Sequence, residues 1–261
     1  MPRYLGQHFL NNPQIVEQII ESSNIKPDET VLEIGPGQGV LTEKLCGKSA
    51  QVIAIELDQK LRENLEKKFQ NQKNLKIIFD DILKVNLPQI LKENEIKNYK
   101  LIANIPYYIT SKIIRLFLET EIQPTEIILM IQKEVAQRIV AQPGQMSKLS
   151  AAVGYFAQAE ILFDVKRENF NPPPEVDSSV IRIFNIKKIN QEESQKYFQV
   201  VRAGFCSRRK TLVNNLANSF HLNKKEVTDK LETLGFSGNS RAQELSVADW
   251  EKLAENFNRP A

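Results

Sequence analysis

From residue 31 onward, short runs of β-branched and other apolar residues alternate with stretches whose apolar positions recur at three and four. The runs VLEI (31–34), VIAIE (52–56), LKIIF (75–79), KLIA (100–103), EIILMI (126–131) and SVIRIF (179–184) read as strands. Between them, LTEKLCGKSA (41–50), QKLRENLEKKF (59–69), SKIIRLFLE (111–119) and KEVAQRIVA (133–141) carry the helical period. Near-continuous apolar strands separated by amphipathic helices predict a parallel sheet covered on both faces, a doubly wound α/β domain. Ahead of it, Asn12 is placed to cap a helix that starts at Pro13.

After residue 186 the strand signals stop. QEESQKYFQVVRAGF (191–205), RRKTLVNNLANSF (208–220), KKEVTDKLETLG (224–235) and VADWEKLAENF (247–257) read as helices, the last opened by a Ser246/Asp249 capping pair. The change of period predicts a boundary near residues 186–192: an α/β domain over 1–188, then a small helical domain over 189–261.

Composition narrows the class. With 261 residues, 41% hydrophobic and 26% charged, the chain is an ordinary globular one. No apolar run approaches a membrane span, and MPRYLGQHFL has neither a signal-peptide core nor a transit-peptide bias, so no membrane partner and a cytoplasmic location are expected. Cys46, Cys206, His8 and His221 fall in no metal-ligand spacing, so no metal site is expected. Charge is uneven: residues 181–230 hold 11 Lys and Arg against 4 Asp and Glu, whereas residues 1–180 hold 21 against 23. One basic segment suggests a polyanionic partner.

The chemistry sits where strands end. Gly35, Gly37 and Gly39 follow the first strand, where a tight turn lets a ligand approach the backbone. Their G-x-G-x-G spacing, with no P-loop Lys-Ser/Thr, disfavours a diphosphate. Glu56 ends the second strand, where a carboxylate can take two ribose hydroxyls, and Asp80 or Asp81 ends the third, where one could accept from an adenine amine. A nucleoside without a diphosphate points to S-adenosylmethionine as cofactor, with Glu33 a candidate for its ammonium group.

Asn104 closes the fourth strand in the stretch NIPYYIT (104–110). An adenine exocyclic amine is a poor nucleophile because its lone pair is delocalised. Two acceptors fixed on its hydrogens, the Asn104 side chain and the Ile105 carbonyl, would draw the nitrogen toward tetrahedral geometry. Pro106 stiffens the turn, Tyr107 offers a face for an extruded base, and Tyr108 is expected simply to pack. Phe170, ahead of three prolines, is a second candidate base clamp.

These segments together resemble one family. NIPY is a variant of the Asn/Asp-Pro-Pro-Tyr motif of adenine-N6 methyltransferases. With GQHFL (6–10), EIGPGQGVLTE (33–43), IELD (55–58), QKEVAQRIVAQP (132–143), FNPPPEVDSSVIR (170–182), FCSRRKTLVNNL (205–216) and RAQELS (241–246), it resembles the bacterial small-subunit ribosomal RNA dimethyladenosine transferases. The resemblance implies a Rossmann-like class I methyltransferase sheet and S-adenosylmethionine-dependent dimethylation of N6 on two adjacent adenosines in the 3′-terminal hairpin of small-subunit RNA. It also implies action on the immature small subunit, with a monomer expected. Residue by residue, it puts His8, Leu10, Gly35, Gly37, Glu56, Asp81 and Asn104 at the cofactor. Tyr107 and Phe170 would sandwich the target base, and Arg208, Arg209 and Lys210 would meet RNA phosphates. Two other readings stay open: an RNA-binding assembly checkpoint factor, and a large-subunit resistance enzyme, since those relatives often carry the same Asn-Ile-Pro-Tyr tetrad.

Overall fold

The computed structural model describes residues 8–257, so the Gly6-Gln7 part of the GQHFL segment lies outside the described residues. Strand β1 (Phe9–Leu10) and helix α1 (Pro13–Ser23) come first, α1 capped by Asn12, whose side chain accepts the Gln14 N–H at 2.9 Å. Then β2 (Thr30–Ile34), α2 (Val40–Cys46), β3 (Gln51–Glu56), α3 (Arg62–Lys68), β4 (Leu75–Phe79), α4 (Leu87–Glu93), β5 (Lys100–Asn104), α5 (Thr110–Glu119) and β6 (Glu126–Gln132) alternate. After α6 (Lys133–Ile139) and α7 (Lys148–Phe156) come β7 (Gln158–Val165), β8 (Phe170–Asn171) and β9 (Ser178–Phe184). Helices α8 (Gln191–Gly204), α9 (Leu212–Phe220), α10 (Lys224–Thr233) and α11 (Val247–Asn256) follow.

The main sheet runs β4-β3-β2-β5-β6-β9-β7, parallel through β6 and antiparallel at β9 and β7. Its central strands are apolar because helices cover both faces; Val31, Leu32, Val52, Ile53, Leu101 and Ile102 are fully buried. From β2 the chain winds outward to β3 and β4, then returns to lay β5 against the other side of β2. That reversal opens a crevice at the carboxyl ends of β2 and β5, the place where such sheets bind ligands. A short β1–β8 pair forms a separate two-stranded sheet.

The chain divides into two compact units, one of residues up to 136 with 158–186, the other of 137–157 with 187 onward. The boundary at 186/187 lies at the edge of the expected zone, but 137–157, expected in the first domain, clusters with the helices. The cause is aromatic packing inside the second unit: Tyr155 of α7 stacks on Tyr197 of α8 with centroids 3.8 Å apart, and the Tyr197 hydroxyl donates to Ala151 O at 2.9 Å. A Cβ on Gly154 of α7 would come within 2.7 Å of Val247, so glycine there permits the approach of α11. The Ser246/Asp249 box forms as expected.

The structure adds β1, β8, α4 and α7 to the elements read from sequence, and two further differences bear on the surfaces. Strand β7 was not expected: a bulge between Ile161 and Phe163 breaks its alternation, and as an edge strand it leaves Gln158, Glu160 and Asp164 exposed. The RRK segment is not helical; α9 begins at Leu212, capped by Thr211, and Lys210 closes a turn onto Ser207 O at 3.2 Å.

At the amino ends of the strands, Lys100 is buried and donates to Ser23 O at 2.8 Å and Asn24 O at 3.0 Å, and pairs with Glu29 and Glu126. Arg182 pairs with Glu126 from β9 and reaches Glu160 on β7. One carboxylate thus serves two cations and links β5, β6 and β9. Glu126→Gln is expected to lower stability by about 3 kcal/mol, since both cations lose their shared buried anion. The check is a urea midpoint at unchanged slope; a loss under about 1 kcal/mol would mean that Glu29 and the carbonyls suffice for Lys100.

Candidate functional site

The crevice holds a cavity of about 610 Å³, within the range of small-molecule sites. Its floor is the glycine turn after β2. Gly35 and Gly37 both take left-handed backbone, φ 69° and 57°, and a Cβ on Gly37 would stand 3.1 Å from the Phe9 ring. A side chain at either would be strained, and at Gly37 also crowded. The backbone of Gly35 lies against β5: a Cβ there would be 3.9 Å from Asn104 O.

Glu56 at the end of β3 locks this turn. Its Oε2 accepts the Gly37 N–H at 3.0 Å and its Oε1 the Asp58 N–H at 2.8 Å. Burial pushes its carboxyl above the ordinary range, and these amides counter the push. Each oxygen keeps a lone pair, so the carboxylate can take two ligand hydroxyls without releasing the loop. Leu57, the next residue, lines the cavity while 44% exposed, an apolar side chain at the mouth that sequence reasoning missed. On the neighbouring strand end, Asp81 Oδ1 accepts the Leu83 N–H at 3.0 Å and Asp81 faces Lys84 at 3.5 Å; Asp80 and Ile82 line the same wall.

Glu33 is the anomaly. It is 1% exposed, lines the cavity, and its Oε2 has no hydrogen-bond partner; the Thr42 hydroxyl beside it is also unpartnered. Burial pushes its pKa from 4.5 to about 8, eased by the nearby Thr42 hydroxyl and raised further by the charge of Glu56. An unsatisfied buried carboxyl oxygen on a cavity wall is costly unless a ligand donor completes it. A cationic ammonium fits that position.

Asn104 reaches the cavity from the end of β5. Its Nδ2 donates to His8 O at 3.4 Å, which leaves Oδ1 free as an acceptor on a residue that lines the cavity. Pro106, at φ −58°, leads into a 3₁₀ turn at Tyr107–Ile109, and the Thr110 hydroxyl returns to Tyr107 O at 3.0 Å. The Tyr107 hydroxyl shares a 2.8 Å hydrogen bond with Ser178 Oγ, and burial raises its pKa. Ser178 is the first residue of β9 and fully buried, a support for Tyr107 that the sequence offered only as part of EVDSSVIR. Asp177 before it accepts from Lys166 Nζ at 3.0 Å and from the Arg167 N–H at 3.1 Å, and its carbonyl takes the Lys133 N–H. That segment therefore pins the tyrosine.

His8, Leu10, Gly35, Gly37, Glu56, Asp81, Asn104 and Tyr107 all line one cavity. Phe170 does not. Its strand, β8, pairs with β1 opposite Leu10, which turns the ring into the core; it is 3% exposed beside Leu10, Val165 and Val180. The aromatic neighbour of Tyr107 is instead His8, its ring 22° from parallel at 6.0 Å, with Nδ1 2.8 Å from Pro172 O. Tyr108, expected to pack, is 62% exposed. In the second unit, Arg208, Arg209 and Lys210 are exposed on the turn before α9, without ion-pair partners among the described residues. Asn215, buried, donates to Gly204 O at 2.7 Å and Ser207 O at 2.9 Å and fixes that turn. Among the described residues no cluster could hold a metal, and no helix is long and apolar enough to cross a membrane.

Residues 2–259 match the family model described as ribosomal RNA adenine dimethylase. The chain is 41% identical over 255 residues to the ribosomal RNA small subunit methyltransferase A of Dehalococcoides mccartyi, covering 97% of this chain and 87% of that one. It superposes on a dimethyladenosine transferase from Plasmodium falciparum with a TM-score of 0.78 at 29% identity, over 96% and 97% of the two chains. It also superposes on the 23S rRNA methyltransferase ErmE with a TM-score of 0.74 at 25% identity, over 96% and 100%.

The raised carboxyl of Glu33 has a thermodynamic signature. The native state holds a proton that the unfolded chain releases above pH 4.5, so this residue's contribution to stability falls as pH rises from about 5 to 8. Its slope approaches 1.4 kcal/mol per pH unit, on the order expected for one proton. Glu33→Gln is expected to flatten the dependence of the urea midpoint on pH in that window; an unchanged slope would show Glu33 ionised in the free protein.

Proposed function

This chain belongs to the ribosomal RNA adenine dimethylase family, and we propose that it uses S-adenosylmethionine to dimethylate N6 of two adjacent adenosines in the 3′-terminal hairpin of small-subunit ribosomal RNA. The observation that carries this reading is the Asn104-Ile105-Pro106-Tyr107 turn standing over a glycine turn locked to Glu56, all on one cavity. On this reading the substrate is the immature small subunit, the working form a monomer and the compartment the cytoplasm.

The cavity suits the cofactor on three counts. Glu56 keeps lone pairs for ribose hydroxyls while holding the loop. Asp81 and Leu57 stand where adenine would meet an acceptor and an apolar face. The orphan Glu33 oxygen fits an ammonium donor. His8, just before β1, and Leu10 within it line the same cavity. When bound, S-adenosylmethionine supplies an electrophilic methyl group on a sulfonium sulfur.

The chain's own contribution is to make the amine nucleophilic. Asn104 Oδ1 and the Ile105 carbonyl accept the two amine hydrogens and hold the nitrogen lone pair out of conjugation. The second acceptor is a backbone group, so only Asn104 is open to substitution. Tyr107, held by Ser178, presents its face to the base, and such stacking contributes about 1–3 kcal/mol. Phe170 takes no part while it stays in the core. Arg208, Arg209 and Lys210, free on a rigid turn, supply phosphate contacts that orient the RNA without reading its sequence.

Labelled methyl transfer to unmethylated small subunits, with the modified nucleotides mapped, tests this function; methylation found only in large-subunit RNA would overturn the choice of target. Asn104→Ala is expected to reduce transfer by at least a hundredfold, and undiminished transfer would remove Asn104 from the mechanism. Replacing both Arg208 and Arg209 with alanine should lower the slope of log affinity against log salt by roughly 0.7–0.9 per lost phosphate contact. An unchanged slope would move the RNA surface elsewhere.

A further inference from the structure

The Asn104–Tyr107 turn accounts for one nucleotide, yet the rim of the cavity carries an aromatic ring that this chemistry leaves unused. Tyr108 is 62% exposed, more than any other large apolar side chain among the described residues, and it lines the mouth beside Tyr107. Its backbone is not loose. The 3₁₀ turn that carries it is pinned before by the Tyr107–Ser178 hydrogen bond and after by the buried Thr110 hydroxyl on Tyr107 O. The ring is therefore held in water by a fixed turn, where solvent exposure of so much aromatic surface brings no stability.

One helical turn on, Lys112 lines the same mouth and is exposed. It has no ion-pair partner among the described residues, and no acidic side chain stands in the first turn of α5 to cancel its charge. Lys84, the other cation on the mouth, is paired with Asp81. An uncommitted ring and an uncommitted cation, side by side at the mouth of a slot for an extruded base, match the base and the phosphate of a single nucleotide.

We propose that Tyr108 and Lys112 form a second nucleotide subsite, in which Tyr108 stacks on the base next to the one held at Tyr107 and Lys112 meets the phosphate between them. This rests on the reading of the chain as an RNA adenine methyltransferase. It gives that reading a means of holding two adjacent adenosines in register: with one in the slot, the other has a platform. Tyr108 touches the neighbouring base and not the reacting nitrogen, so it acts on binding and positioning.

The test is steady-state methylation of a hairpin RNA with two adjacent adenosines, against the same hairpin with an abasic site beside the target. Tyr108→Ala is expected to raise the KM for the intact hairpin about tenfold, as loss of one stacked base requires, with kcat for the first methyl, cofactor affinity and melting temperature unchanged. Tyr108→Phe, which keeps the ring face, restores the wild-type KM. On the abasic hairpin, wild type and Tyr108→Ala converge. Lys112→Ala lowers the salt slope of KM by roughly 0.7 on the single-stranded loop. The subsite is overturned if Tyr108→Ala matches wild type on the intact hairpin, loses equally on the abasic one, or loses cofactor affinity instead. A wild-type protein that methylates no adenosine RNA overturns the parent reading, and the subsite with it; activity lost in Asn104→Ala but normal in Tyr108→Ala removes the subsite alone.

Discussion

The hydrogen bond from the Gly37 N–H to the Glu56 carboxylate, 3.0 Å long, ties the turn after β2 to the end of β3. Everything at the crevice is measured from that tie. A glycine turn is the most permissive backbone in the chain, and left alone it would sample many shapes. A buried carboxylate that also takes the Asp58 N–H freezes it in one, and the Gly35 backbone then lies against Asn104 O across the β2–β5 reversal. The carboxylate, buried at some cost, is stabilised by the amides it organises, and its remaining lone pairs face the cavity. Loop geometry thus depends on two oxygens that keep lone pairs open to a ligand.

The two ends of the sheet divide the polar work. At the amino ends, Lys100 and Arg182 share Glu126, and Lys100 satisfies the last carbonyls of α1, so every charged group has its partner. At the carboxyl ends, Glu33 Oε2 and the Thr42 hydroxyl have none, and the Asn104 side chain makes only one long bond. A polar network that is complete within the protein stabilises it; one that is incomplete is held open by the rest of the fold and is completed by a ligand. The antiparallel end of the sheet joins the two. β9 carries Arg182 into the first network and Ser178, at its start, onto Tyr107, so the register of one strand positions a stability contact and a site contact together.

The parallel strands are plainly legible because strands buried on both faces leave unbroken apolar runs, and the residues at their carboxyl ends line the cavity. Glu56, Asp81 and Asn104 could be placed on one crevice before any coordinates, since a doubly wound sheet gives no other place for them. What the chain hid was set by contacts distant in sequence. The β7 alternation is broken by a bulge that only its partner β9 defines. Helix α7 joins the helical unit through Tyr155 on Tyr197, a pairing that no local period announces. Phe170 looked like a clamp because prolines follow it, but its direction is fixed by β1, more than 150 residues earlier in the chain. His8 was read as a cofactor residue, and its ring also lies alongside Tyr107.

The basic turn before α9 carries the same lesson into the second unit. Read as the opening of a helix, Arg208 and Arg209 would have been two charges on a solvated face. Instead Asn215, buried, donates to Gly204 O and Ser207 O and holds the three cations on a non-helical turn, with Thr211 capping the helix that follows. A turn fans its side chains outward where a helix spaces them around an axis, so adjacent cations can meet successive phosphates. Fixing the backbone also removes part of the ordering cost that flexible basic arms incur on binding. One device is therefore used twice: a buried polar side chain that immobilises an irregular loop, Glu56 for the glycine turn and Asn215 for the cationic one.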